Sequence, residues 1–173
     1  MATDADTPTT ADGLALRAVR HDDADWIERA CQDPDTQRWT TVPRPYTRSH
    51  AEEFVASGGV GLASWAIIDG DDQGLGMISI HEIDPETGDA DAGYWVAPWG
   101  RRRGVATWAI TAMVELAAAR DGVRAVTLQI AETNVASRGA ATKAGFVNGG
   151  PNGCRCPDGD DTAPTLLYRR QVR

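Results

Sequence analysis

The stretch from Gly93 to Thr107, Gly-Tyr-Trp-Val-Ala-Pro-Trp-Gly-Arg-Arg-Arg-Gly-Val-Ala-Thr, leaves few folds open to this chain. Tyr94 to Val96 reads as a buried strand that Pro98 breaks, and a long helix opens at about Gly104. A helix N-terminus leaves several backbone N–H groups unpaired and carries the positive end of the macrodipole. Arg101, Arg102 and Arg103 stand beside it, and Gly104 has no side chain to keep a ligand off the backbone. That combination suits a pyrophosphate seated at a strand-to-helix turn. No G-x-x-x-x-G-K-[ST] occurs, and no G-x-G-x-x-G follows a first strand, so P-loop and dinucleotide-binding loops are excluded.

The 173 residues are enough for one domain with its own core, and 42% apolar with 24% charged residues is ordinary for a soluble globular protein. Residues 1–12, rich in Thr, Asp and Ala, read as a disordered tail, which leaves 13–173 as the single domain. No apolar run approaches the length of a membrane span, so no membrane partner is expected. The polar, acidic start resembles neither a secretory signal nor a transit peptide; with three cysteines, an odd number, it points to the cytoplasm. A net charge of −8 argues against nucleic-acid binding and favours approach by a cationic amine, although it also serves solubility.

Along the chain, Leu14–Val19 alternates as a first strand, and Asp23 is placed to cap a helix carrying Trp26, Ile27 and Ala30. Ser49-His-Ala-Glu52 has the form of a capping box, predicting a second helix to about Ala56 that Gly58-Gly59 closes. Ser64–Asp69 and Leu75–Ile83 read as strands, followed by the strand ending at Val96. After Gly104, an apolar stripe of Val105, Ala109, Ala112, Met113, Leu116 and Ala117 marks a helix ending at Asp121-Gly122. Ala125–Ile130 and Thr165–Arg170 read as strands, and Gly149–Pro164 as a loop. The sum is an α/β protein: a mixed sheet of about seven strands with helices on both faces.

Arg101-x-x-Gly104-x-Ala106 resembles the [Q/R]-x-x-G-x-[G/A] pyrophosphate loop of the GNAT N-acetyltransferase superfamily. Asn134-x-x-Ser137-x-x-x-x-x-Lys143-x-Gly145-Phe146, about thirty residues on, resembles a second segment of that superfamily, with room for one helix and one strand between them. Asn134 ends a strand in this reading, Ser137 or the adjoining turn starts a short helix, and Gly145 closes it as a left-handed cap. Asp91-Ala-Gly93-Tyr94-Trp95-Val96 is similar to the A-E-x-G-Y-W-[LV] strand of the Rim type, the ribosomal-protein N-terminal acetyltransferases, and Asp33–Phe54 is similar to that subgroup's acceptor-side region. The likeness spans roughly residues 13 to 170.

The resemblance implies the GNAT fold: a largely antiparallel seven-stranded sheet with a bulged, splayed central strand and about four helices. It implies acetyl-CoA as acyl donor, with no metal. The pantetheine arm would pair with backbone at Trp95, Val96 and Ala97, and the pyrophosphate would rest on Arg101, Arg102, Arg103, Gly104, Val105, Ala106 and Thr107. Asn134 would bond the donor or cap a helix, and Ser137 would bond the leaving sulfur or serve as a cap. Asp91 stands where the subgroup has a glutamate that accepts the amine proton; being one methylene shorter, it calls for a water relay or is simply a solvated carboxylate. Glu82 and Glu132 are its rivals, and a backbone N–H near Val96 is the expected oxyanion donor.

An α-amine, with a pKa near 8 against about 10.4 for lysine, would ask least of a weak base. The resemblance implies a primary amine as acceptor, of a protein N-terminus or a small molecule, with Trp39 and Tyr46 lining its pocket or buried against the sheet. Among the histidines only His81, next to Glu82, has a route to the site. Cys31 reads as core and Cys154-x-Cys156 as two loop cysteines. Two other readings stand beside this one: a non-catalytic acyl-CoA-binding sensor or interaction module, and a transferase using another acyl-CoA such as succinyl-CoA. A homodimer through the sheet edge or the Gly149–Pro164 loop is also allowed.

Overall fold

Alternating burial along the strands sets two apolar layers on opposite faces of one sheet. The computed structural model describes residues 13–172; the tail expected over 1–12 lies outside the described residues. The strands are β1 (Ala15–Ala18), β2 (Ala63–Ile68), β3 (Gly74–Ile83), β4 (Asp89–Val96), β5 (Ala125–Ala131), β6 (Val147–Asp158) and β7 (Asp161–Gln171). They lie in the order β1-β2-β3-β4-β5-β7-β6. Every neighbouring pair is antiparallel except β4–β5. The helices are α1 (Ala24–Cys31), α2 (Pro34–Trp39), α3 (Arg48–Ala56), α4 (Val105–Ala118) and α5 (Val135–Lys143). The one parallel pair follows from connectivity, because α4 carries the chain over the sheet between β4 and β5.

Helix α4 lays Val105, Ala109, Ile110, Met113 and Ala117 on a face built from Leu75, Ile78, Ile80, Ala92, Val126 and Leu128. On the other face, Ile27 and Cys31 of α1 and Ala51 and Val55 of α3 meet Ala66 and Met77, with Tyr46 closed in among them. Alternate residues of β4 therefore serve different layers: Tyr94 and Val96 face α4, whereas Trp95 packs on the α1–α3 side.

Several local expectations shift. Helix α3 starts earlier than Ser49, because Thr47 takes the N-cap and its N–H donates to His50 Nδ1 at 3.1 Å. Ser49 then lies within the helix and reaches Glu53. Helix α2 was not expected, although Asp33-Pro34 is a fitting start for it: Asp33 caps the Thr36 N–H at 2.9 Å and Pro34 sits at the first turn. The segment 149–164 is not a loop. It forms most of β6 and the turn into β7, with register shifts around Pro151 and three glycines at positive φ, Gly150, Gly153 and Gly159. An edge strand that pairs only with β7 tolerates such bulges, so tertiary pairing overrides the local turn composition.

Asp23 precedes α1 but does not cap it. Its carboxylate accepts from Arg17 Nη1 and Nη2 at 2.8 Å, from the Arg20 N–H at 2.7 Å and from Trp26 Nε1 at 2.7 Å. A bidentate guanidinium outcompetes a neutral amide for those oxygens. The cluster ties β1 to α1 and holds Trp26 against Trp95 of β4, with ring centroids 5.9 Å apart. Burial pushes the Asp23 pKa up, but Arg17, Trp26 and the Arg20 N–H together hold it below the usual carboxylate range. A depressed folded-state pKa gives stability that is complete above the unfolded value near 4 and is lost as pH falls. Asp23→Ala is expected to cost about 3–5 kcal/mol at pH 7, since it removes the buried carboxylate from the mostly buried Arg17 and leaves it the exposed Asp72. Urea unfolding checks this: the gap from wild type should narrow below about pH 4, and equal midpoints at pH 7 would refute it.

Candidate functional site

Strands β4 and β5 pair only from Asp89–Ala125 to Ala92–Leu128. Beyond that point each turns to its outer neighbour. Gly93–Val96 stays on β3 opposite Gly76–Ser79, and Gln129–Ala131 stays on β7 opposite Thr165–Leu167. A wedge opens between the two strands in the middle of the sheet. On β3 the register slips between Ile80 and Glu82 against Ala92 and Asp91, so the bulged residue is His81, beside the start of the wedge.

The chain leaves the wedge at Val96 and reaches α4 through a short 3₁₀ turn, Pro98–Gly100. Gly104 caps α4 at φ +76°, and no side chain caps the helix. The first bond of the helix runs from the Trp108 N–H to Gly104 O at 3.0 Å, so the Val105, Ala106 and Thr107 N–H groups have no acceptor among the described residues. Arg102 and Arg103 are exposed and have no ion partner among those residues. Arg101 differs, because its side chain turns away from the helix end. Its Nη2 meets Asp33 Oδ2 at 2.5 Å and Thr36 Oγ1 at 3.0 Å, and its Nε meets Val96 O at 3.1 Å. Burial raises the Asp33 pKa, but Arg101 and the Thr36 N–H outweigh it and hold the carboxyl ionised. Arg101 is therefore a strut from the loop to α2. Ala97 is likewise committed, its N–H to Leu75 O and its C=O to the Gly100 N–H, both at 2.8 Å.

Two polar clusters flank the wedge on opposite faces. On the α1–α3 face, Asp91 Oδ2 lies 3.1 Å from His81 Nδ1, and Asp91 Oδ1 accepts from Gln129 Nε2 at 3.2 Å. Gln129 in turn accepts from Asn152 Nδ2 at 3.2 Å, so β3, β4, β5 and β6 are linked across the sheet. Gly93 accommodates the His81 ring, since a Cβ there would stand 2.7 Å from His81 Cε1. On the α4–α5 face, Tyr94 Oη and Ser137 Oγ are 2.8 Å apart. Burial pushes the Tyr94 pKa up to about 12, offset in part by the Ser137 hydrogen bond, so the phenol stays protonated at neutral pH. When Tyr94 donates, the serine proton is free to point into the wedge.

The expectation that Asn134 ends a strand gives way. Strand β5 stops at Ala131, and Asn134 caps α5 by accepting the Ser137 N–H at 3.1 Å. The cap therefore falls to Asn134, which frees the Ser137 hydroxyl for Tyr94. Gly145 follows α5 at φ +81°, as expected of its left-handed cap.

Glu82 lies opposite Asp91 in the β3–β4 register and is exposed, with no side-chain partner among the described residues. Glu132 sits past the end of β5, also exposed, outside both clusters. Trp39 is half-buried at the end of α2 under the Arg38 guanidinium, 4.4 Å from its ring centre. Tyr46 is 6% exposed in the α1–α3 core, so it lines no open pocket. Trp95 is committed to the same layer. Cys31 is core, and Cys156 bonds Thr165 Oγ1 at 2.9 Å. Among the described residues no His, Cys, Asp and Glu group could hold a metal, and no helix is long and apolar enough to cross a membrane.

Sequence reasoning missed the parts played by Tyr94, Gln129 and Asn152. Only the alternation of β4 hinted that Tyr94 and Asp91 leave opposite faces.

The sequence profile of the acetyltransferase (GNAT) domain matches residues 14–147. The chain belongs to the GNAT acetyltransferase family. By sequence, no curated protein matches it. Solved structures match this GNAT domain over nearly its whole length at low identity. RimL, the ribosomal L7/L12 α-N-protein acetyltransferase in complex with coenzyme A, superposes with a TM-score of 0.80 at 18% identity, covering 95% of this chain and 97% of that one. Spermidine N-acetyltransferase from Vibrio cholerae, with CoA and spermine, gives 0.77 at 15%, covering 92% and 95%. The microcin C7 self-immunity acetyltransferase MccE, with acetyl-CoA and AMP, gives 0.78 at 16%, covering 94% and 97%. The expected mixed sheet of about seven strands with about four helices on its faces is the observed one, with seven strands and five α-helices among the described residues.

Gly104→Ala tests the helix start of this GNAT domain. The added Cβ meets nothing within 4 Å, but φ is +76°, so only backbone conformation is penalised. A loss of about 1–2 kcal/mol in urea unfolding is expected; an unchanged midpoint would show that the loop adopts another conformation in solution.

Proposed function

We propose that this GNAT protein transfers an acetyl group from acetyl-CoA to a primary amine, the α-amine of a protein N-terminus or a small-molecule amine, by direct attack in a ternary complex. The observation that carries this reading is the wedge between β4 and β5 with a proton-accepting cluster on one face and a proton-donating pair on the other. Direct aminolysis uses a proton acceptor at the attacking nitrogen and a proton donor at the departing sulfur.

The residues present suit the donor. Gly93–Val96 leaves its β5-facing edge unpaired, where an extended pantetheine arm would add as a strand. The free N–H groups of Val105, Ala106 and Thr107, with Arg102 and Arg103 beside them, would hold the pyrophosphate. The Arg101 side chain takes no part, since it braces the loop against α2. When bound, acetyl-CoA supplies a thioester whose carbonyl carbon is open to an amine. Ser137 would pass its proton to the departing sulfur and take one in turn from the attacking amine, while Tyr94 holds its hydroxyl in place. The acceptor reading is supported by neighbours whose names specify a ribosomal-protein α-amine and spermidine. A net charge of −8 suits an ammonium substrate.

Thiol release from acetyl-CoA, followed with DTNB against peptides bearing free N-termini and against small primary amines, tests the reading. Turnover with one class is expected, and acetyl-CoA binding by calorimetry without turnover across both would refute it. Ser137→Ala should lower kcat by about 10²-fold with donor affinity kept. Arg102→Ala should weaken acetyl-CoA binding about tenfold, or ~1.4 kcal/mol; unchanged affinity would remove the pyrophosphate from the α4 N-terminus.

A further inference from the structure

A neutral amine is scarce when its conjugate acid dominates, so the base that removes the ammonium proton matters as much as the donor site. Asp91 stands at the position that the Rim likeness assigns to the base, yet its carboxylate is already occupied. One oxygen faces His81 Nδ1 at 3.1 Å and the other accepts from Gln129 at 3.2 Å. Its side chain is 23% exposed, against 44% for His81. A carboxylate held at both oxygens is better built to orient a neighbour than to meet a substrate.

His81 has the complementary properties. It is the bulged residue of β3, displaced from the regular ladder beside the point where β4 and β5 part. Its ring lies over Gly93, with Cε1 2.7 Å and Nε2 3.1 Å from where a Cβ would stand. Nδ1 faces Asp91, so the tautomer with the proton on Nδ1 puts the Nε2 lone pair over Gly93, the first β4 residue past the paired segment. The loop 58–62 crosses the same residue, with Gly61 against His81 Cα and the Leu62 N–H bonded to Ile80 O at 2.9 Å. Val60 and Leu62 in that loop are exposed and apolar.

We infer that His81 is the base that deprotonates the incoming ammonium, and that Asp91, set by Gln129, is the positioning residue that holds the imidazole in register. This rests on the acetyltransferase reading above and assigns one of its steps. His81 Nε2 takes one proton from the ammonium, and the electron pair of that N–H bond remains on nitrogen. The C–N bond forms as the C–S bond breaks, and the amine's second proton ends on sulfur through Ser137. The imidazolium returns its proton to water, so each turnover yields one amide, one thiol and one proton. The charged groups around the ring are few. Asp91 faces it from β4 and Glu82 adjoins it on β3, while Asp89, two residues before Asp91, is held by Arg169 at 2.8 and 2.9 Å. Gln129 from β5 and the loop 58–62 bring no titratable group.

The test is the pH profile of kcat/KM for DTNB-detected thiol release by the full chain, using an amine that the wild type acetylates. His81→Gln, Asp91→Asn and the double variant are compared, with acetyl-CoA affinity measured by calorimetry. His81→Gln should lower kcat about 10²-fold and remove the acid limb of the profile, with donor affinity unchanged. Asp91→Asn should slow turnover about tenfold while keeping an acid limb, and the double variant should be no slower than His81→Gln. An acid limb that survives His81→Gln and disappears in Asp91→Asn makes the carboxylate the base and overturns the assignment. A His81→Gln variant with wild-type kcat/KM overturns it as well. A wild-type protein that acetylates no amine overturns the assignment together with the reading beneath it.

Discussion

The parting of β4 from β5 is the constraint on which the rest of the molecule depends. Two parallel strands that shared all their hydrogen bonds would close the sheet and leave no backbone for a ligand. Here the ladder ends at Ala92–Leu128, and each strand keeps its outer partner, so the wedge is held open by β3 on one side and β7 on the other. The unpaired inner edges are polar groups that need a partner. Extended donor backbone at that edge would satisfy them.

Because side chains alternate across a strand, the same parting gives the site two chemically distinct sides. Asp91 and Gly93 present to the α1–α3 face, where His81 lies, and Tyr94 presents to the α4–α5 face, where Ser137 lies. Each side is braced from outside the wedge. The Arg17–Asp23–Trp26 cluster fixes α1 against Trp95, and Arg101 ties the loop before α4 to α2. The tip of the β6–β7 hairpin docks on α2 through Arg38–Asp158 at 2.7 Å and a Gly159 N–H to Arg38 O bond at 2.9 Å. The α1–α3 face beside the wedge is thus framed by residues far apart in the chain.

Much of this was legible in local patterns. Gly104 before an apolar helical stripe marked the start of α4, and the short-range order of Asn134, Ser137 and Gly145 marked α5. Where the reading failed, a longer-range partner had redirected a side chain or a strand. Asp23 and Arg101 look like a helix cap and a phosphate ligand until Arg17 and Asp33 engage them. The glycine- and proline-rich segment 149–164 looks like a loop until β7 supplies its ladder. Ser137, open to reading as a sulfur partner or a cap, leaves the cap to Asn134.

By itself the sequence determined the periodicities, the breaks and the exposed helix start, because each depends on residues within a turn or a strand of one another. It therefore placed the exposed start of α4 and the fold around it. Tertiary structure alone decided which side chains meet: His81 with Asp91, Asp91 with Gln129, and Tyr94 with Ser137, 10, 38 and 43 residues apart. Those meetings depend on strand order, on a one-residue bulge and on where two strands cease to pair. None of these is encoded within a single local window, since hydrogen-bond register is a property of two strands together.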